Sequence, residues 1–354
     1  MAGIPSAAKK GALVGFGQIA EKAHVPAFRA VDGLHIVAVA ESVGVRLEAA
    51  RAAWPQARLY SSFDELLESE TALDFVVVAT PPALHSAQAL AALQRGLHVL
   101  CEKPLVLDAQ ALELLKKQAR ESDRALVPVH NWAYSPQWRQ VWRWLENDAI
   151  GPARKVELEV LRCGTSPSVM PGDWRRDVRV SGGGILVDHG WHNLYLLYRI
   201  LRRPFLSVAV EASRYNESGA EDELELALRF PGAEAKMRLS WRAGGRSNRA
   251  RIEGDRGVIE LEDDRLRCGD EATSFPEKLS AGSAHPGWLI PLLEDFKTAM
   301  DAPPRNEEGG SAAPGPFPYG QARLRELFLE EAAFCVDAIR AAYSRMHRTP
   351  ASSL

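Results

Sequence analysis

Asp188 and His192 stand four residues apart in the run GGGILVDHGWH (182–192), an acid ahead of a histidine at helical spacing. On a helix such residues are neighbours one turn apart. The carboxylate can then orient the imidazole and stabilise its charged form. With an unperturbed pKa of about 6.5, the imidazole can take a hydroxyl proton near neutral pH. Two other readings compete with this catalytic one. A polar helix face in water leaves three consecutive glycines unexplained, because each costs backbone entropy and such runs mark close approach of a ligand or of another backbone. A metal site would use Asp188, His189 and His192. On one helix, however, His189 diverges from Asp188 by about 100°, and no second Cys, His and Asp cluster supplies missing ligands, so no metal is expected.

These residues must be positioned by a chain of 354 residues, long enough for two domains. The first spans 1–130 and alternates β-rich runs with amphipathic helices. Strands are expected at ALVGF (12–16), HIVAVAE (35–41), DFVVVAT (74–80), HVLCEK (98–103) and ALVPVH (125–130). DFVVVAT is nearly all apolar, as a strand covered on both faces would be. Helices fall between, the one through AQALAALQRG stopping at Gly96. The alternation predicts an α/β doubly wound parallel sheet.

GFGQIA (15–20) sits where the first strand turns into the first helix. Gly15 permits the tight turn, Gly17 lets the backbone approach a pyrophosphate, and Ala20 allows close helix–strand packing. The N–H groups of Phe16, Gln18 and Ile19 open the helix that would hold the phosphates. Glu41 ends the second strand, where a carboxylate bonds ribose hydroxyls and repels a 2′-phosphate. No Arg or Lys follows at 42 or 43, which favours NAD, while Arg46 keeps NADP open. Ligands of an open α/β sheet bind at the carboxyl ends of its strands. Ala79, Thr80, Pro81 and His85 of ATPPALH, and Glu102 and Lys103 of CEKPL, should therefore lie along the cofactor's path. Beside a positively charged nicotinamide the ammonium form of Lys103 is disfavoured, so it can take or relay a proton.

GFGQIAEKAHVPAF, ATPPALHSAQALAALQRGLHVLCEKPL and GGGILVDHGWH together resemble the glucose–fructose oxidoreductase / inositol dehydrogenase / MocA (Gfo/Idh/MocA) family, from about Gly11 to Asp255. The resemblance implies an NAD(P)-binding Rossmann domain followed by an α+β domain (131–354) with a large open, mostly antiparallel sheet. It also implies that Asp188, His192 and Lys103 line one reaction site across the two domains, over the nicotinamide. Asn131, Trp174 and Tyr195 join Asp188 and His192 on the substrate side. Trp174 and Arg175 would close over the nicotinamide. Two positions depart from the family's pattern, both on the substrate side. Tyr195 stands where many members carry an Asp three residues after the His, and Ala133 where many carry an Arg.

The second half alternates strictly. KVELEVL (155–161), ELELALRF (223–230) and EAKMRLSW (234–241) each put apolar residues on one side and charges on the other, with PGA (231–233) joining the last two as a hairpin. Helices should cover the apolar face. The charged face is either solvated or, as the resemblance implies, pairs copies into a homo-oligomer, a dimer or tetramer. Trp132, Tyr134, Trp138 and Trp174 can stack on a sugar ring or belong to core or interface. The biased segment 305–320 reads as a loop, and helices at 288–300 and 321–346 are expected to pack on the second domain.

A net charge of −3 gives no footprint for nucleic acid or an anionic membrane. No run approaches a membrane span, and no signal peptide is read at the N-terminus. Cys101, Cys163, Cys268 and Cys335 form no C-x-x-C pair, which fits a reducing cytoplasm. The expectation is an NAD(P)-dependent oxidoreductase acting on a secondary alcohol or ketone of a sugar, cyclitol or related polyol. His192 serves as acid/base, Asp188 as hydroxyl contact and orienter, and Lys103 as anchor and proton relay. The alternatives are a redox-assisted glycoside hydrolase and a non-catalytic nucleotide sensor.

Overall fold

The computed structural model describes residues 8–164, 177–282, 284–302 and 321–346, the side chains of 321 and 322 apart. Trp174, Arg175 and the segment 305–320 lie outside the described residues. The chain divides into two compact units: residues up to Asn131 with those of 284–330, and residues 132–283 with those from Glu331 onward.

In the first unit, β1 (Lys9–Val14), β2 (Leu34–Ala40), β3 (Arg58–Tyr60), β4 (Phe75–Val78), β5 (His98–Cys101) and β6 (Leu126–Pro128) form one sheet in the order β3-β2-β1-β4-β5-β6. Every pairing is parallel. Chain order reverses between β1 and β4, which makes the carboxyl ends of those strands the ligand-binding crevice of such a sheet. β4 and β5 are buried at every residue, FVVV being apolar throughout and HVLC apolar after His98. The helices are α1 (Val25–Ala30), α2 (Gly44–Ala53), α3 (Phe63–Ser69), α4 (Pro82–Gln94) and α5 (Ala109–Glu121). Ser62 and Asp108 cap α3 and α5 by accepting N–H bonds from Glu65 and Ala111.

One expectation is corrected here. The helix Pro286–Met300 packs on the first unit, against α1. Phe75 of β4 stacks on Phe28 of α1 and meets Phe296 of that helix edge-on. The anchoring aromatics are far apart in sequence, so helical periodicity alone carries no sign of the partner.

In the second unit, β7 (Ala153–Cys163), β8 (Ser207–Tyr215), β9 (Glu221–Phe230), β10 (Ala233–Ser240), β11 (Arg242–Gly254), β12 (Val258–Glu262), β13 (Arg265–Cys268) and β14 (Glu271–Ser274) form an open sheet in the order β14-β13-β12-β11-β7-β10-β9-β8. Only β7 and β10 pair in parallel. Pro231 and Gly232 turn the β9–β10 hairpin as its sequence suggests, Phe230 facing Ala233. The rows Val156, Leu158, Val160 and Leu224, Leu226, Leu228 are buried. On the opposite face Arg238 pairs with Glu159 and Glu225, Arg249 with Glu159 and Glu262, and Arg251 with Glu253 and Glu260. Further helices of the chain are α6 (Pro136–Glu146), α7 (Val178–Ser181), α8 (Trp191–Leu201), α9 (the Pro286–Met300 helix) and α10 (Gln321–Met346). α8 covers β7 and β10 on the apolar face.

Candidate active site

Gly15 adopts φ +86°, and a Cβ there would lie 2.8 Å from the Ala79 carbonyl oxygen. Only glycine allows β1 to turn this tightly against the end of β4. Gly17 is different: the nearest atom to its would-be Cβ is Arg46 Nη1 at 3.8 Å. Packing does not demand a glycine there, so the clear space fits a residue kept small for a phosphate. Glu41 is buried and ties the turn together. Its Oε2 accepts the Phe16 N–H at 2.6 Å and its Oε1 accepts the Val43 N–H at 2.8 Å. Each oxygen keeps a second lone pair for a ribose hydroxyl. Phe16 packs its ring edge-on against Trp54 and gives its N–H to Glu41, so the N–H expected to face a phosphate is committed within the protein and Phe16 braces the turn. Gln18 and Ile19 are half-buried, and the chain then enters a π-helical turn at Ala20–His24. These residues fit a dinucleotide.

The β4 and β5 ends are fastened to each other. The His85 ring is 2.7 Å from the Pro104 carbonyl at Nδ1 and 2.8 Å from the Thr80 carbonyl at Nε2. Burial pushes its pKa down, although both carbonyls pull the other way. A neutral ring donates to one carbonyl only. His85 is thus a buried strut between two loops and reaches a ligand only through Thr80 and Pro81, both half-buried. Thr80 also donates its hydroxyl to Gln88 at 2.6 Å.

Glu102 is buried too. Its Oε1 lies 2.9 Å from His24 Nε2, and its Oε2 accepts the Lys103 N–H at 3.2 Å. Burial raises its pKa, but His24 and the Lys103 charge outweigh that, so the carboxyl sits below its usual range. His24 Nδ1 is buried without a partner. An Nε2–H tautomer leaves only a lone pair there, which costs less than an orphaned N–H. The pair fixes the backbone that carries Lys103, which is half-buried and joined to Pro104 by a cis peptide. His24 falls in the quoted HVPAF stretch, yet nothing in its spacing points to Glu102.

In the second unit two of the three glycines, Gly183 and Gly184, have a structural explanation. A Cβ on Gly184 would stand 2.0 Å from the Glu221 carbonyl oxygen, and one on Gly183, at φ +157°, would meet Tyr343 Oη at 1.9 Å. Glu221 Oε1 accepts the N–H groups of Gly184 (2.9 Å) and Leu186 (3.1 Å) and the Tyr343 hydroxyl (2.8 Å). Burial pushes the Glu221 pKa up. The glycines therefore seat the segment before α8 on the start of β9, the close approach being of backbone.

The helix that carries Asp188 and His192 begins as a π-helical turn, Leu186–Gly190, and becomes α-helical at Trp191. The wider i→i+5 turn alters the phase on which the Asp188–His192 alignment rests. Asp188 Oδ2 lies 3.4 Å from His189 Nδ1, and the Trp241 indole N–H points to that same Nδ1 at 3.3 Å. His192 Nδ1 lies 2.8 Å from Tyr195 Oη, which also accepts the Trp132 N–H at 3.0 Å. Tyr195 thus stands as an orienter of His192. With two lone pairs its oxygen can accept both N–H groups, so proton uptake at Nε2 leaves the Nδ1 bond intact.

The Trp132 indole stacks on the His192 ring, centroids 4.5 Å apart and planes 7° from parallel. Trp138 and Trp142 stack on each other, and Tyr134 lies beneath Arg199, whose guanidinium pairs with buried Glu331. Tyr134 and Trp138 are core residues by burial. Asn131 is half-buried and opens the 3₁₀ turn Asn131–Tyr134.

A phenol cannot stabilise imidazolium by charge as a carboxylate can. Tyr195→Asp is therefore expected to raise the apparent pKa of the base limb in kcat/KM by about one to two units. Tyr195→Phe, which adds no charge, should lower the rate without that shift. A base limb unmoved in the Asp variant would mean that His192 is not the titrating group.

Two sequence profiles match the chain: residues 9–130 match an oxidoreductase family with an NAD-binding Rossmann fold, and residues 138–260 match the GFO/IDH/MocA C-terminal domain. A D-apiose dehydrogenase of Paraburkholderia graminis is 37% identical over 148 residues, 40% of this chain and 37% of that protein. The D-glucoside 3-dehydrogenase of Escherichia coli is 26% identical over 213 residues, 59% of this chain and 58% of its own length. The match thus spans less than two thirds of either relative. The crystal structure of GenD2 from gentamicin A biosynthesis, in complex with NAD, superposes with a TM-score of 0.78 at 22% identity, covering 98% of this chain and 96% of that one. With both halves of the chain matched, and a glycine turn shaped for a dinucleotide, the protein belongs to the Gfo/Idh/MocA oxidoreductase family.

Proposed function

We propose that the protein is an NAD(P)-dependent oxidoreductase of a secondary alcohol or ketone on a sugar, cyclitol or related polyol. The observation that carries the reading is the second-unit cluster, in which His192 is held by Tyr195 at one ring nitrogen and stacked on Trp132. On this reading Nε2 is the working atom of a fixed imidazole. Gly15, Gly17, Gln18, Ile19 and Glu41 hold the dinucleotide, with Phe16 bracing the turn through Glu41 and Trp54. Bound nicotinamide supplies the hydride acceptor or donor. His192 takes the hydroxyl proton in oxidation and returns it in reduction. Asp188 accepts a hydrogen bond from a substrate hydroxyl, and Lys103 anchors the reacting oxygen and relays its proton. Relatives named for D-apiose and D-glucosides support the substrate class.

The test is a panel of sugars, glycosides and polyols, followed by absorbance of the reduced cofactor with NAD and with NADP. At least one polyol or sugar should be turned over, and His192→Ala should lower that rate by about 10²–10⁴-fold. A full rate in the variant would sink the assignment. Tightly held NAD without net turnover of added cofactor would instead mark a redox-assisted hydrolase.

A further inference from the structure

Arg162 breaks a rule of its own strand. Along β7, Val156, Leu158, Val160 and Arg162 alternate onto the same buried face, so a guanidinium ends an apolar row. It is 1% exposed. Nη1 donates to the Leu161 carbonyl at 2.8 Å and to the Ser247 carbonyl at 3.1 Å. Nε is buried without a partner. Among the described residues no carboxylate forms an ion pair with it. Asp188 and Asp263 act on it at longer range, and Arg246 opposes them. Burial pulls its pKa down to about 10, which still leaves it charged at neutral pH. A buried cation without a counterion is costly, and an unsatisfied N–H beside it adds to the cost.

The guanidinium also lies over the Trp132 ring, 5.9 Å from its centroid, and that ring is the one stacked on His192. The unsatisfied group therefore belongs to the same cluster as the proposed acid/base. With Nη1 taken by carbonyls, the edge that remains is Nε with Nη2. That edge presents two parallel N–H bonds, the fork that matches a planar carboxylate. A phosphate dianion suits the site less well, because one cation already shares the field of two aspartates.

We propose that Arg162 recognises a carboxylate of the substrate, so that the preferred substrates are sugar acids or other polyhydroxy acids and not neutral sugars. This rests on the oxidoreductase reading above and narrows its substrate. At 1% exposure Arg162 is reached only through a local rearrangement as the acid enters.

Matched pairs test the inference: glucose with glucuronate, galactose with galacturonate, and their methyl glycosides. The wild-type protein should favour the acid of a pair by about tenfold or more in kcat/KM, about 1.4 kcal/mol. Arg162→Met should erase the preference, chiefly through KM for the acid, and Arg162→Lys should restore part of it. A merely structural Arg162 would lower stability and leave the acid-to-neutral ratio unchanged. Equal or better turnover of neutral members by the wild type overturns the carboxylate proposal while the oxidoreductase reading stands. Should no compound be turned over, that reading fails, and calorimetric binding of the same acids to wild type and Arg162→Met decides the inference alone. Weaker binding by the variant supports it, and equal or absent binding overturns it. If Arg162→Met does not fold, the wild-type ratios and acid binding decide.

Discussion

Lys103→Met is expected to lower turnover by about 10²–10⁴-fold while cofactor affinity stays within about tenfold, or about 1.4 kcal/mol. The asymmetry follows from what holds each part. The proposed dinucleotide cradle consists of the Gly15–Gly17 turn, Glu41 at the end of β2, and the Ala79 carbonyl that Gly15 packs against. None of these contacts uses the lysine side chain. The loop that carries Lys103 is fixed through other atoms, with Glu102 accepting the Lys103 backbone N–H and the His85 ring meeting the Pro104 carbonyl. Methionine keeps the length of the side chain and removes its charge and protons, so only the chemical role is withdrawn. The measurements are steady-state rates on the best substrate of the panel and cofactor affinity by fluorescence titration. Retained turnover would refute the catalytic role, and a large loss of cofactor affinity would turn Lys103 into a cofactor ligand.

How much of this could be read from residues alone depended on the range of the contacts. The parallel sheet was legible because runs such as FVVV and the VLC of β5 are apolar and separated by helical patterns, a signal local to each strand. The one-sided second sheet was legible for the same reason, since period-2 alternation in ELELALRF needs no partner to be read. The glycine turn with Glu41 was legible as a motif, but the carboxylate's bond to the Phe16 N–H was not. What the sequence hid is long-range. Glu221 lies 37 residues from Gly184, His24 lies 78 from Glu102, and Cys335 donates to the carbonyl of Trp191 from 144 residues away. The π-helical turn at Leu186–Gly190 was hidden as well, because helical periodicity presumes an α-helix. Arg162 did carry a readable signal, an arginine in register with Val156, Leu158 and Val160, one residue beyond KVELEVL.

Gly184→Ala is expected to destabilise the second unit by about 3 kcal/mol, the upper part of the range for overpacking a dense interior. For a unit of 150–250 residues that corresponds to a fall of roughly 6–12 °C in its thermal midpoint. The argument is steric. The added methyl would sit 2.0 Å from the Glu221 carbonyl oxygen and 2.7 Å from its backbone nitrogen, and neither is the end of a flexible side chain. The strand cannot retreat easily, because β9 is paired on both sides, by β8 and by β10. The glycine segment must move instead, and with it go the N–H bonds from Gly184 and Leu186 that end on the Glu221 carboxylate. Leu186 begins the turn that carries Asp188, and that turn leads into the helix of His192. The variant should therefore lose activity as well as stability, with kcat falling even at temperatures where it remains folded. Calorimetry with parallel rate measurements separates the two effects. An unchanged midpoint would show that the segment tolerates a side chain, and would return the three glycines to the reading in which they leave room for a ligand.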